Sequence, residues 1–251
     1  MEALVKIEKG IKNLEEKFAA VGVPAEIFKK EASFALQALS NNKDLFNCPR
    51  MSILSAVYNI ALTGLTLNPA FSYAYLVPRK RHGKSICVLD ISYRGLIKIA
   101  TDGNVVKSVT ANCIFENDRF SAVEGTNTFL EHEPSYFDDR GKFVGAYVVV
   151  TLNNGTKKHH IMSKADIDKR KSLSMYQGKG SIWDLWYNEM AIKTVIKSAW
   201  KLWPTSCEKL ANAVEILNEN EGFEPLRSRN LKPIVEMPKE IKEIVEENEK
   251  L

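Results

Sequence analysis

No stretch of this 251-residue chain approaches the roughly 20 consecutive apolar residues that a membrane helix needs, and its first residues mix Glu and Lys without a signal-like apolar run. A cytoplasmic protein with no membrane partner is the expectation. Cysteine is scarce: Cys48, Cys87, Cys113 and Cys207 lie far apart and never form a C-x-x-C pair, which argues against a zinc ribbon or a disulfide framework and for buried free thiols. Also missing are the G-x-x-x-x-G-K-[ST] phosphate loop, G-x-S-x-G, H-E-x-x-H and G-x-G-x-x-G. ATP-driven chemistry therefore lacks its usual cradle, and no cofactor is called for. Nor is there an internal repeat at solenoid periods.

What is present is an apolar content of 45%, enough for a substantial core, and an uneven charge. The formal net charge is only +4, but residues 205–251 carry 11 acidic against 7 basic side chains, leaving residues 1–204 at +8. Within that body, residues 157–203 hold 10 Lys/Arg against 4 Asp/Glu. A basic body with an acidic tail suits a polyanionic partner for the body. We accordingly divide the chain into a binding and assembly core, 1–204, and an acidic segment, 205–251, in which the Pro-containing stretch 222–238 reads as a linker. Ile241, Ile244 and Val245 would line a small terminal helix suited to docking a partner.

Periodicity gives the elements. Leu4, Ile7, Ile11, Leu14 and Phe18 recur at helical spacing, Pro24 opens a second helix over 25–39, and Pro49 opens a third over 51–65. The period then changes to two. Phe71, Tyr73 and Tyr75 alternate with smaller residues, and 85–92 is a second β-rich run, so a hairpin with the basic tip 79–84 is predicted. A short helix over 93–101 follows. Residues 105–115, 143–152 and 156–162 read as further strands, with Asn153-Asn154-Gly155 turning between the last two. Ser163 and Asp166 have the form of a helix cap, and 183–203 reads as one long helix ended by Pro204. The fold class is α+β: N-terminal helices, a central, mostly antiparallel sheet of about five strands with hairpins, and a long basic helix forming a groove.

On that long helix Lys193, Lys197 and Lys201 recur every four residues, beside an apolar face that includes Ile192, Val195, Ile196 and Ala199. A lysine row is usually an ordinary solvated face. Here, however, no acidic residue lies between Glu189 and Trp203 to pair along the helix, and further basic clusters stand at 79–84, 157–158 and 169–171. Such a ridge fits a phosphate backbone. Phe71, Tyr73 and Tyr75 have the chemistry to stack bases, although alternating aromatics on a strand more often pack in a core. Asp138-Asp139 with Arg140-Gly141 reads as a polar turn, and adjacent strand residues such as His159 and His160 face opposite ways.

The order of motifs carries a resemblance. Leu67-Asn68-Pro69, then Tyr73-Ala74-Tyr75-Leu76-Val77-Pro78, then Ile91-Ser92-Tyr93-Arg94-Gly95-Leu96-Ile97, resembles the RecT family's aliphatic-Asn-Pro, "AY-hydrophobic-hydrophobic-P" and "GYKGL" pattern. Farther on, Trp183 and Met190-Ala191-Ile192-Lys193-Thr194-Val195-Ile196-Lys197, closing in Trp203-Pro204, is similar to the family's "W…MA-x-KTV-x-[RK]" helix. Together these span residues 65–204. Ser92 stands where the family commonly has Gly, and Arg94 where it has Lys; Arg94 keeps the charge and gains bidentate capacity.

The resemblance implies a phage or prophage protein of the bacterial cytoplasm that binds single-stranded DNA and anneals complementary strands in homologous recombination. It further implies no ATP requirement, no catalysis, and homo-oligomeric rings or helical filaments that hold the DNA, including the annealed duplex intermediate, in a groove. Carried over by position, Lys193, Lys197 and Arg94 would contact phosphates; the charge pattern adds Arg79, Lys80, Arg81 and Lys201. A 5′ to 3′ exonuclease and the host single-strand-binding protein are the partners implied for the acidic segment, for which simple solubility is the plainer role. Two rivals stand beside this reading: a metal-dependent nuclease using Asp138, Asp139 and His159 or His160, and an RNA-binding or assembly protein without annealing activity.

Overall fold

The apolar stripes predicted for the N-terminal region pack its first helices together. In a computed structural model, which describes residues 2–81, 83–126, 128–173 and 180–220, α1 (Glu2–Lys12) and α2 (Glu15–Ala20) pack on α4 (Arg50–Thr63), and α3 (Ala25–Asn41) packs on α1 and α2. Ile7, Ile11, Leu14 and Phe18 are buried as their spacing requires, but a turn at Asn13-Leu14 splits the helix predicted over that span into α1 and α2. α4 is apolar around most of its circumference, with Ile53, Leu54, Ala56, Val57, Ile60 and Ala61 all buried, as a central helix should be. It ends at Gly64, whose left-handed φ of 65° closes the helix through a bond from its N–H to the Ile60 carbonyl.

The strands depart from the single sheet of about five that periodicity suggested. Seven strands lie in three antiparallel sheets among the described residues. β1 (Ala74–Arg81) and β2 (Lys84–Ile91) form the expected basic-tipped hairpin; β3 (Val106–Phe115), β6 (Phe143–Leu152) and β7 (Lys157–Ser163) form a three-stranded sheet in the order β3-β6-β7. Between β3 and β6 stands a separate hairpin, β4 (Arg119–Val123) and β5 (Phe129–Glu133), which the sequence reading left without an element. The β1–β2 hairpin stays separate because its inner face, Ala74, Leu76, Cys87, Leu89 and Ile91, is buried against helices including α4.

The remaining helices complete the core. α5 (Tyr93–Asp102) follows β2 directly, and α6 (Lys164–Ser172) starts at the anticipated cap, where Ser163 and Asp166 form a reciprocal capping box. The helix predicted over 183–203 is in fact three pieces: α7 (Ile182–Leu185), α8 (Tyr187–Ala199) and a short 3₁₀ turn at Trp200–Leu202. The break falls at Trp186, whose φ of −133° and ψ of 50° are not helical; it lets Trp183 turn inward. α9 (Glu208–Asn220), the first part of the acidic segment, packs with Leu210, Ala213, Ile216 and Leu217 into the same continuous core. The proposed linker and terminal helix of that segment lie outside the described residues.

Candidate nucleic-acid interface

The site is built on the outer face of the β1–β2 hairpin. Side chains alternate along a strand, so Tyr75, Val77 and Arg79 of β1 face away from the buried Ala74 and Leu76, and the register sets Tyr75 opposite Asp90 on that same outer face. Asp90 Oδ1 accepts from Arg79 Nη2 at 3.2 Å and from Lys197 Nζ of α8 at 3.4 Å. One carboxylate therefore joins two of the cations named from sequence. The lysine ridge, which has no acidic partner along its own helix, acquires one from a strand at Lys197, so the expectation of an uncompensated row is corrected there.

Arg94 and Lys193 are placed differently. With Ser72, Tyr75, Ser92 and Tyr93 they line an open cleft of about 270 Å³, bringing together residues from the two sequence motifs. Among the described residues neither forms an ion pair with a carboxylate. The Arg94 guanidinium is exposed, donates from Nε to the Tyr93 hydroxyl at 3.3 Å and sits 6.0 Å from that ring's centroid; these contacts hold it even more firmly protonated than usual. Lys193 and Lys197 are one turn apart on α8, so the cleft and the Asp90 cluster form one basic strip.

Local chemistry fixes the cleft's floor. Ser92 caps α5 by accepting from the Gly95 N–H at 3.1 Å, while its hydroxyl donates to the Ser72 carbonyl at 2.7 Å and its N–H to the Tyr73 carbonyl. Ser92 thus sews the loop before β1 to the helix that carries Arg94. Gly95 makes this approach possible, since a Cβ there would meet the Tyr73 carbonyl oxygen at 2.3 Å. Ser72 itself adopts a left-handed φ of 55°, uncommon for a residue with a side chain. The first turn of α5 contains no acidic residue, so its partial positive charge adds to that of Arg94.

The other named cations serve elsewhere or stand apart. Arg81 Nη2 donates to the Glu219 carbonyl at 2.7 Å, and Asn220 Nδ2 to the Leu89 carbonyl at 2.8 Å, so Arg81 ties the hairpin to the end of α9. Lys80 is exposed on β1 but points to the opposite side of the strand from Arg79. Lys201 lies on the 3₁₀ turn, its Nζ 5.6 Å from the Trp200 ring centroid, and so does not continue the α8 row in strict register. Sequence reasoning missed Asp90, Ser72 and Tyr93. Asp90 was legible only as the outward residue between the inward Leu89 and Ile91.

The residues of the nuclease alternative do not converge. Asp139 closes a turn by accepting from the Gly141 N–H at 2.9 Å, and His160 Nε2 lies 3.1 Å from Ser198 Oγ, its pKa depressed mainly by burial. The His159 ring is buried, with Nε2 3.9 Å from Glu124 Oε1 and no hydrogen-bond partner. Among the described residues no group of three or more His, Cys, Asp or Glu side chains is arranged to hold a metal ion.

Residues of the two motifs thus meet at one cleft. The sequence model of the RecT family matches residues 29–227. This chain belongs to the RecT family. Protein RecT of Escherichia coli (strain K12) is 33% identical over 168 residues, covering 65% of this chain. The matched part spans 62% of the length of that relative. Both the "AY" strand and the "KTV" helix fall within the matched family region, and the cleft sits where those RecT motifs meet. No helix among the described residues is long and apolar enough to cross a membrane.

Proposed function

We propose that this protein binds single-stranded DNA along the strip formed by Arg94, Lys193, Lys197 and Arg79, and anneals complementary strands during homologous recombination without ATP. The observation that carries the reading is the meeting of Arg94 and Lys193 at one open cleft, free of carboxylate partners among the described residues and adjoining the N-terminus of α5. Cationic side chains and a helix N-terminus together suit phosphate oxygens. Membership of the RecT family supports annealing as the outcome of that binding.

The mechanism needs no nucleophile. Cations that hold the backbone of one strand leave base edges open, and they lower the repulsion that an incoming complementary strand meets. Base pairing then supplies the specificity. Rings or helical filaments of many copies multiply weak contacts along the strand and hold the nascent duplex. Lys80 and Lys201 would extend the path at its margins, and Arg81 would act through the hairpin it anchors. We place this work in the bacterial cytoplasm, with a 5′ to 3′ exonuclease supplying the single strand and the acidic residues beyond α9 offering a contact for it or for a single-strand-binding protein.

The test is sequential addition of two labelled complementary oligonucleotides in the absence of ATP. The wild type should accelerate pairing, and the folded Lys193→Ala/Lys197→Ala variant should lose most of that acceleration at matched salt. Pairing at the spontaneous rate with folded wild type overturns the annealing reading. Magnesium-dependent cleavage abolished by EDTA would instead establish the nuclease.

A further inference from the structure

Three aromatic residues precede or open β1, and the structure gives them different surroundings. Phe71 and Tyr73 stack on each other, with ring centroids 5.4 Å apart and planes 18° from parallel. Tyr75 makes no ring contact with a described aromatic residue, yet it is 43% exposed and lines the cleft beside Arg94 and Lys193. An aromatic ring on a water-facing strand position gains nothing from core packing. Its neighbours are two cations, a helix N-terminus and Asp90, whose carboxylate is already paired with Arg79 and Lys197, a setting that suits an anion carrying a π-face better than an apolar peptide.

We propose that Tyr75 is a stacking platform for one nucleobase of the bound strand, with Arg94 and Lys193 holding the phosphates that flank it. This rests on the single-strand-binding reading above and extends it from the backbone to a base. The platform is firmly set: Tyr75 sits in the β1–β2 register opposite Asp90, and the preceding loop is sewn to α5 through Ser92. Ring and cations are therefore organised before DNA arrives. Stacking is indifferent to sequence because every base offers a π-face, and it leaves the pairing edge of the held base exposed to a second strand.

The experiment compares a short thymidine oligonucleotide with an abasic strand of equal length, which keeps the phosphates and removes the bases. Wild type, Tyr75→Ala and Tyr75→Phe are titrated at fixed salt, with thermal unfolding confirming that each is folded. Tyr75→Ala should weaken thymidine binding about ten-fold while leaving the abasic strand unaffected, and Tyr75→Phe should bind both as the wild type does. Equal losses on both strands, or none on either, would overturn the stacking role while the backbone-binding reading stands. Wild type that binds neither strand would overturn both.

Discussion

Arg140 and Arg94 carry the same guanidinium, and the protein uses them in opposite ways. Arg140 makes a bidentate pair with Asp118, Nη2 to Oδ2 at 2.6 Å and Nε to Oδ1 at 2.8 Å, and lies 4.2 Å from the Phe115 ring centroid. The Asp118 side chain is out of contact with water and also accepts from the Phe115 and Ser135 N–H groups; His132 bridges it to the Tyr147 hydroxyl. Arg140 foremost, with these other donors, holds the Asp118 carboxyl well below the usual carboxylate range despite its burial. Arg94, by contrast, faces water over an open cleft without a carboxylate partner among the described residues. The first arginine is neutralised to fasten the β4–β5 hairpin to the β3–β6 sheet, while the second keeps its charge exposed to water. A count of basic residues along the chain cannot separate these roles.

The largest effect should come from breaking the buried pair. Arg140→Met leaves Asp118 inside the fold without its strongest partner and should cost about 3 kcal/mol of stability, lowering the melting temperature by roughly 6–12 °C. Single-strand affinity of the folded protein should not change. Next in size is Gly95→Ala: forcing the Tyr73 carbonyl away from α5 should cost about 2 kcal/mol, and, unlike Arg140→Met, should also weaken DNA binding because the cleft's floor moves. Thermal unfolding read alongside an oligonucleotide titration separates the two.

A smaller effect concerns pH. Burial depresses the pKa of His160, so the folded state prefers the neutral ring and the unfolded chain takes up the proton first. Stability should therefore fall as pH drops below the unfolded value of about 6.5. His160→Gln should flatten the part of the pH 7 to pH 5 melting profile that this histidine causes. An identical profile in the variant would assign that dependence to other groups.

Much of the fold was legible because local chemistry and tertiary packing agree. The Ser163–Asp166 capping box and the 143–152 strand were both written in neighbouring residues. The β4–β5 hairpin was not, because Asp118, His132, Arg140 and Tyr147 are scattered and only the fold joins them. The continuous helix predicted over 183–203 failed at Trp186 for a related reason: its residues favour a helix, and only the burial of Trp183 requires the break. At the site, the motif residues Arg94, Lys193 and Lys197 were legible. Their distribution between an open cleft and an Asp90 cluster depends on a strand register that the pattern of charges does not contain.

On the function proposed above, Arg94 and Lys193 hold phosphates whereas Arg81 holds the fold. This division of roles is tested most directly by the salt dependence of single-strand affinity in Arg94→Ala/Lys193→Ala and in Arg81→Ala, each against the wild type. Removing two phosphate contacts should reduce the magnitude of the slope of log affinity on log salt by about 1.4, while Arg81→Ala should lower the melting temperature and leave the slope alone. An unchanged slope in the double variant, or an equal loss in Arg81→Ala, would contradict the account.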